Sequence, residues 1–398
     1  MTKATGAFLV LVVITSSILI SCHRHYRSTA YSYIIPKQLS DELPVDAMYN
    51  NGMDTGRVVT LTKLILDNTY PNIHSMLILR HGKLIYENYF AGEDEIVGKG
   101  YAGYVNHTID DVHDCRSVSK SFTSACIGIA IKQGFIKSID EPIYSYFPEY
   151  TRYFDPAKRK ITIRNLLTMT SGLDWDENIP YLDPKNSEIQ MDESDDPVQF
   201  ILSRKLTSVP GTTWNYSGAS ATLLGEILRK ATGERLDQFA GKYLFAPLGI
   251  KKYTWEPMPK DKGMTAAAWG LRLRSRDLAK FGLLYMNDGK WGNTQVLETD
   301  WVKQSLCTQV LRPSESPKIV RGYGFQFWTD PLTLPRYKTD LPFAMGRGGQ
   351  LIILWQSMDI VLVFTGGNYK LNKTGADIYI AFTHYIVPSV KEMQPYLK

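Results

Sequence analysis

Cys115-Arg116-Ser117-Val118-Ser119-Lys120-Ser121-Phe122 is the stretch on which the reading of this chain turns. It contains Ser-x-x-Lys and opens an apolar run, Phe122 to Ile131, that stops at Gly134. Residues three apart on a helix share a face one turn on, so Lys120 can reach the Ser117 hydroxyl. A serine is a poor nucleophile until a neighbouring base takes its proton. Lysine can take it only while partly neutral, and a helix N-terminus beside an apolar wall pushes it that way. The same positive helix end favours the oxyanion that forms on attack. No other Ser-x-x-Lys occurs in the 398 residues. The competing reading is a serine N-cap next to a solvated lysine, and the surrounding chain has to separate the two.

Composition sets the bounds. At 44% hydrophobic and 12% aromatic the chain can build a large core, and one enzyme with an inserted subdomain reaches this length. The net charge of +5 is small and forms no basic stripe, which argues against a nucleic-acid partner. Lys3 precedes an apolar run, Ala7 to Ile20, then Ser21-Cys22. That run is too short for a comfortable membrane span and fits a secretory signal, so residues 1–21 are expected to be a signal peptide. Leu19-Ile20-Ser21-Cys22 resembles the lipobox of bacterial lipoproteins, which implies cleavage before Cys22 and lipidation there. The alternative is an ordinary signal peptide with an incidental cysteine. Residues 22–56, polar and carrying Pro36 and Pro44, read as a lipid-anchored tether. The expected location is the bacterial cell envelope, membrane-anchored and facing periplasm or exterior. Cys115, Cys126 and Cys307 are too few and too uneven for a disulfide framework, and Cys126 reads as a small core hydrophobe.

Along the chain, Val58 to Leu66 has helical periodicity, and His74–Leu79 with Leu84–Phe90 reads as a hairpin about Arg80-His81-Gly82-Lys83. Residues 91–114 read as loop. Thr162 caps an expected helix to Met169, and Asp174 to Asp196 is acidic with Lys185 its only base. That stretch reads as a solvated surface loop, or as a lid that attracts cations. Helices are expected over Pro197–Arg204, Ala219–Ala231 closed by Gly233, Leu236–Phe245, and Arg276–Met286 capped by Ser275. Residues 308–320 read as a loop. Strands follow at Gly324–Trp328, Leu351–Trp355 and Ile360–Phe364, then a terminal helix over Thr374–Tyr385. Strands at both ends around a helical middle predict an α+β fold: one antiparallel sheet built from N- and C-terminal segments, flanked by helices. A mostly helical subdomain, about 135–310, is inserted. The catalytic body is expected over 57–388, with 389–398 as a tail.

Five stretches now carry a resemblance. Arg116-Ser117-Val118-Ser119-Lys120-Ser121-Phe122 resembles the first motif of the serine β-lactamase and penicillin-binding superfamily. Leu166-Leu167-Thr168-Met169-Thr170-Ser171-Gly172-Leu173 is similar to a stretch of its class C-like branch. Gly270-Leu271-Arg272, followed by Arg276-Asp277-Leu278-Ala279, is typical of the same branch. Pro210-Gly211 to Tyr216 resembles the second motif, and Gly346-Arg347-Gly348-Gly349-Gln350 the third. The resemblance implies a β-lactamase/transpeptidase-like fold with Ser117 as the acylated nucleophile, Lys120 its base partner and Tyr216 a second acid/base. It implies an oxyanion hole from the backbone N–H groups of Ser117 and Gln350. Gly348 and Gly349 would let substrate approach the backbone, and the loop carrying Trp175 and Tyr181 would line the cleft.

Two departures bear on function. Tyr216-Ser217-Gly218 lacks the asparagine of the usual Tyr-x-Asn, which resembles the esterase and 6-aminohexanoate-dimer hydrolase branch. Arg347 replaces the usual Lys or His, and its fork suits a substrate carboxylate or, equally, a protein carboxylate. The expected function is a serine hydrolase cleaving a small ester, amide or peptide. The alternatives are a D-alanyl-D-alanine carboxypeptidase, a class C-like β-lactamase, or a penicillin-binding sensor lipoprotein without turnover. No Gly-x-Ser-x-Gly elbow supports a Ser-His-Asp triad, so His107 and His113 read as loop residues. No His-Glu-x-x-His or Cys-x-x-Cys occurs, so neither metal nor organic cofactor is expected. His23 and His25 could bind only a stray ion.

Overall fold

A computed structural model of the protein describes residues 30–313, 320–370 and 374–397. The expected signal peptide, Cys22, His23 and His25 lie outside the described residues. The chain opens with helix α1 (Thr55–Leu66) and strands β1 (Ile73–Arg80), β2 (Lys83–Tyr89), β3 (Ala91–Ile96), β4 (Gly100–Asn106) and β5 (Val112–Asp114). Helix α2 (Ser119–Lys132) follows, then α3 (Ile163–Leu167), α4 (Ser187–Asp192), α5 (Pro197–Ser203), α6 (Gly218–Thr232) and α7 (Leu236–Ala240). Next come β6 (Tyr253–Trp255), β7 (Leu271–Arg274), α8 (Ser275–Met286), β8 (Lys290–Trp291), β9 (Thr294–Gln295) and α9 (Thr299–Leu306). The last part is β10 (Val310–Arg312), β11 (Arg321–Tyr323), β12 (Trp328–Leu334), β13 (Tyr337–Gly346), β14 (Gln350–Trp355), β15 (Ile360–Gly366) and α10 (Thr374–Ala381).

The main sheet runs β10-β11-β12-β13-β14-β15-β1-β2, and its pairings are antiparallel. The expected joining of both chain ends is made by β1 against β15, with Met76 opposite Phe364 and Ile78 opposite Leu362. β1 is buried along its whole length, which is why it reads as a nearly continuous apolar run. Its alternate side chains feed two cores. Leu77 and Leu79 join the larger core, which holds α2, α6 and α8. Met76 and Ile78 join the second, closed by α1 and the C-terminal helices. α2 is buried from Ser119 to Ala130, so it needs no polar face. α3 is capped as expected, with Thr162 and Asn165 each bonding the other's backbone N–H. α6 ends where expected, at Gly233 with φ 76°.

Several local expectations change. Residues 91–106 form a hairpin, not a loop; its strands are mostly exposed and so lack an apolar alternation. His113 lies in β5 and not in a loop, whereas His107 follows β4 in a loop; both are buried. Ser275 does not cap α8; Arg274 holds that position without a side-chain bond. The Ser275 hydroxyl instead meets Ser75 at 2.7 Å, and Ser75 meets Thr365 at 2.7 Å, tying α8 to β1 and β15. α8 also lies against the sheet, with Gly282 beside Val361, Ile352 and Leu354. It therefore belongs to the sheet layer and not to the helical subdomain expected to reach residue 310. The expected tether is packed onto the body over part of its length. Leu43, Ala47, Met48 and Met53 are buried, and Val45 bridges Leu84. Apolar side chains spaced among prolines and charges hid this contact. The expected tail is docked as well, since Val390 bridges Met53 and Met393 is buried.

Candidate active site

Ser117 lies in a tight turn, Arg116–Val118, that runs directly into α2. Arg116 has φ 49°, a left-handed conformation that costs a non-glycine residue energy and persists only where the surroundings impose it. Those surroundings are visible. The Arg116 guanidinium lies 4.3 Å over the Tyr369 ring and pairs with Glu95 at 3.3 Å and Asp114 at 3.5 Å. From the other side the end of β13 closes on the turn, and a Cβ on Gly346 would fall 2.4 Å from Cys115 O and 3.1 Å from Ser117 N. One helical turn on, Lys120 Nζ donates to Ser117 Oγ at 3.2 Å and to Ala268 O at 3.1 Å.

Tyr216 comes from the helical subdomain, just before α6. Asn215 anchors it by bonding Trp175 O and Met169 O, each at 2.8 Å. Its ring stacks on Trp328 at 5.3 Å, and Lys120 Nζ lies 5.0 Å from the ring centroid. Tyr216 shares the wall of one cavity with Ser117. The three residues expected to converge therefore do so.

Behind them sits a group of acids. Glu177 accepts from Trp175 Nε1 at 2.7 Å, Gly218 N at 2.6 Å and Tyr181 Oη at 2.8 Å. Glu188 is buried beside it, and a Cβ on Gly218 would meet Glu188 Oε1 at 2.3 Å. The missing second-motif amide thus has a steric counterpart: acid side chains occupy the space beside residue 218. Burial, then the charge of Glu177, pushes the Glu188 carboxyl well above the usual carboxylate range. The same two causes push Asp192 up to about 7.

These acids overturn the expectation of a partly neutral Lys120. Burial does pull its ammonium down, but the acidic groups of Tyr216, Glu188 and Glu177 outweigh it and hold Lys120 above the ordinary lysine value. Burial, opposed by Lys120, raises the Tyr216 phenol. At neutral pH both groups keep their protons, and activating Ser117 requires the pair to lose one. The alkaline limb of kcat/KM should report that loss. Glu177→Gln keeps an acceptor for Trp175 and Gly218 and removes one negative charge. Lys120 then loses its proton more easily, and the limb should move to lower pH by about one unit in a pH-rate profile. An unmoved limb would show that Glu177 does not set the charge of Lys120.

A cavity of about 570 Å³ opens in front of Ser117 and Tyr216, with Tyr181, Trp328, Arg347, Gly348, Gly349 and Gln350 on its walls. The Gln350 side chain is tied to Gly366 O at 2.5 Å, which holds β14 against β15. Arg347 is exposed at the mouth, its guanidinium 5.2 Å from the Tyr181 ring centroid. Among the described residues no carboxylate lies within ion-pairing distance of it. Trp175 does not line the cavity as expected. It is 5% exposed, packs edge-on against Phe200 and holds Glu177. Sequence reasoning missed Glu177, Glu188 and Trp328. The absent amide at Gly218 was the one signal that something else fills that place. The single group of clustered metal-ligating side chains among the described residues, His74, His107 and His113, lies outside this cavity.

With this geometry in hand, the likenesses to known proteins are informative. The Beta-lactamase family model matches residues 73–370. The 6-aminohexanoate-dimer hydrolase of Paenarthrobacter ureafaciens is 25% identical over 247 residues, covering 58% of this chain and 57% of that protein. The D-alanyl-D-alanine-carboxypeptidase/endopeptidase AmpH of Escherichia coli (strain K12) is 26% identical over 207 residues, covering 50% of this chain and 53% of that protein. The chain thus spans about half the length of these two relatives. The solved structure of EstCE1, a hydrolase with promiscuous acyltransferase activity, superposes with a TM-score of 0.65 at 18% identity, covering 82% of this chain and 97% of EstCE1. At that identity the likeness speaks for the fold.

Proposed function

Because the chain belongs to the beta-lactamase family, we propose that it is a serine hydrolase that cleaves a small ester or amide through an acyl-enzyme on Ser117. The observation that carries this reading is the Lys120 Nζ–Ser117 Oγ contact of 3.2 Å at the wall of a cavity shared with Tyr216. Ser117 Oγ attacks the substrate carbonyl, and its proton passes to the Lys120–Tyr216 pair. In this reading the backbone N–H groups of Ser117 and Gln350 receive the oxyanion, where fixed donors contribute most. The pair then protonates the leaving alkoxide or amine, and water repeats the sequence to free Ser117. Relatives named as a dimer hydrolase and a carboxypeptidase support amide or peptide substrates. The acids packed beside Gly218 leave no amide there to hold a β-lactam side chain, which favours the ester and linear-amide reading.

One observation favours a narrower substrate class. Arg347 has no acidic partner among the described residues and stands at the cavity mouth, so it is free to take a substrate carboxylate. That suits a peptide C-terminus or a penicillin carboxylate as well as a free acid. Arg347→Ala should raise KM about tenfold for acid-ended substrates and leave neutral esters nearly unchanged, the size of one lost charge-assisted bond. Equal effects on both substrate types would remove the idea.

The decisive test incubates the protein with a neutral ester, a penicillin and a D-Ala-D-Ala peptide, and follows product and protein mass together. Ester turnover with a transient adduct on Ser117 supports the proposal. A stable penicilloyl adduct without product supports a binding sensor instead. The proposed workplace is the cell envelope, through a lipid on Cys22, and mass spectrometry of the protein isolated from membranes checks this.

A further inference from the structure

We propose that His74, His107 and His113 form a binding site for one transition-metal ion of zinc type, separate from the hydrolytic cavity. His74 sits near the start of β1, His107 directly after β4 and His113 in β5. Residues far apart in the chain are thus brought to one point. One ring nitrogen of each lies within 4.8 Å of one from each of the others. Their exposures are 1%, 8% and 2%, so the cluster is closed off from solvent.

Among the described residues, most of these ring nitrogens have no partner of their own. His74 Nε2 lies 3.0 Å from Glu93 O. A carbonyl only accepts, so that nitrogen carries the proton and Nδ1 is bare. An N–H held by a backbone carbonyl is the outer support that metal-bound histidines commonly show. His74 Nδ1, His107 Nε2 and both nitrogens of His113 have no protein hydrogen-bond partner among the described residues. Simple packing would leave these buried polar atoms unsatisfied, which folded proteins rarely tolerate. The carboxylates of Asp94 and Asp111 act on His107 and give the place a negative surrounding potential.

Ligand chemistry selects the ion. Three imidazoles without a carboxylate in the trio suit zinc, cobalt, nickel or copper and reject magnesium and calcium. Three protein ligands leave a fourth position for solvent. With metal–nitrogen bonds of about 2.0–2.1 Å in a tetrahedral site, each ring must approach the ion from its own direction. The stacked pair His74 and His107, 3.8 Å between centroids, must then open. The site joins β1, the β3–β4 hairpin and β5. His113 lies just ahead of Asp114 and Arg116, so a bound ion would brace the turn that presents Ser117 without touching substrate.

The test uses the full chain, purified with and without chelator and reloaded with Zn²⁺ or Co²⁺. One equivalent of zinc should survive dialysis against metal-free buffer. The cobalt form should show the visible d–d bands of low-coordinate Co(II), and the thermal midpoint should rise on loading. His107→Ala, at the least buried position, and His113→Ala should each lose the ion. His23→Ala/His25→Ala should keep it. X-ray absorption at the zinc edge of the unmodified protein counts imidazole ligands directly, so the question is answered even if a variant fails to fold. A folded protein that takes up no stoichiometric zinc, an ion retained by His107→Ala and His113→Ala, or an absorption spectrum without three imidazoles overturns the proposal. Because none of these readouts is hydrolysis, failure here is distinguishable from failure of the hydrolase reading.

Discussion

Ser117→Ala should lower kcat/KM by about 10⁴-fold or more and abolish the covalent adduct, while the protein keeps its fold. The hydroxyl is the atom that Lys120 contacts at 3.2 Å, in the cavity that Tyr216 also lines. Its removal deletes the bond-forming atom and leaves the cavity walls in place. The side chain is small and partly exposed, so the substitution opens no core cavity. The measurement is paired: steady-state rates on the best ester found, and intact-protein mass after incubation with substrate or penicillin. Retained turnover at more than about a hundredth of the original rate would move the nucleophile elsewhere and end the acyl-enzyme account.

Tyr216→Phe should cost about 10²- to 10⁴-fold in kcat, the range for loss of a positioned acid/base, with little change in KM. Phenylalanine preserves the stacking on Trp328, so the second wall of the site remains in position. The proton released by Ser117 then has only Lys120 to receive it, and Lys120 already holds one, stabilised by the acids around it. Activity should recover most at high pH, where the lysine becomes neutral. A variant within threefold of the original at all pH values would show that Lys120 performs both transfers by itself.

The strands that join the two chain ends and the Ser117–Lys120 pair were legible because each is written locally. β1 and β15 are runs of large apolar residues, and Ser117 and Lys120 stand one helical turn apart in an apolar helix. Tyr216 could be placed only through a resemblance, since nothing in its own surroundings distinguishes it from other tyrosines. What stayed hidden depends on distant packing. β12 and β13 carry Pro331 and Pro342 within the strands, a signal that ordinarily argues against a strand. Glu177 and Glu188 belong to a stretch that reads as a wet acidic loop, yet the fold turns them inward beneath Tyr216. Trp175 follows the Ser-Gly-Leu turn as a cleft residue would, but its indole N–H is taken by Glu177. Lys120 shows the sharpest gap, because its charge state depends on acids whose position no local pattern reveals.

The pairing of β1 with β15 also bears on how the protein is made. A ribosome delivers β1 long before its sheet neighbour β15, and the closing contacts span nearly the whole body. Such distant pairings form slowly and leave an open strand edge while they wait. The turn bearing Ser117 is shut from one side by the end of β13, so a nascent chain leaves that turn open until β13 emerges. Hydrolytic competence should therefore appear only after β15 has been made, and a chain stopped before Ile360 should be inactive and prone to aggregate.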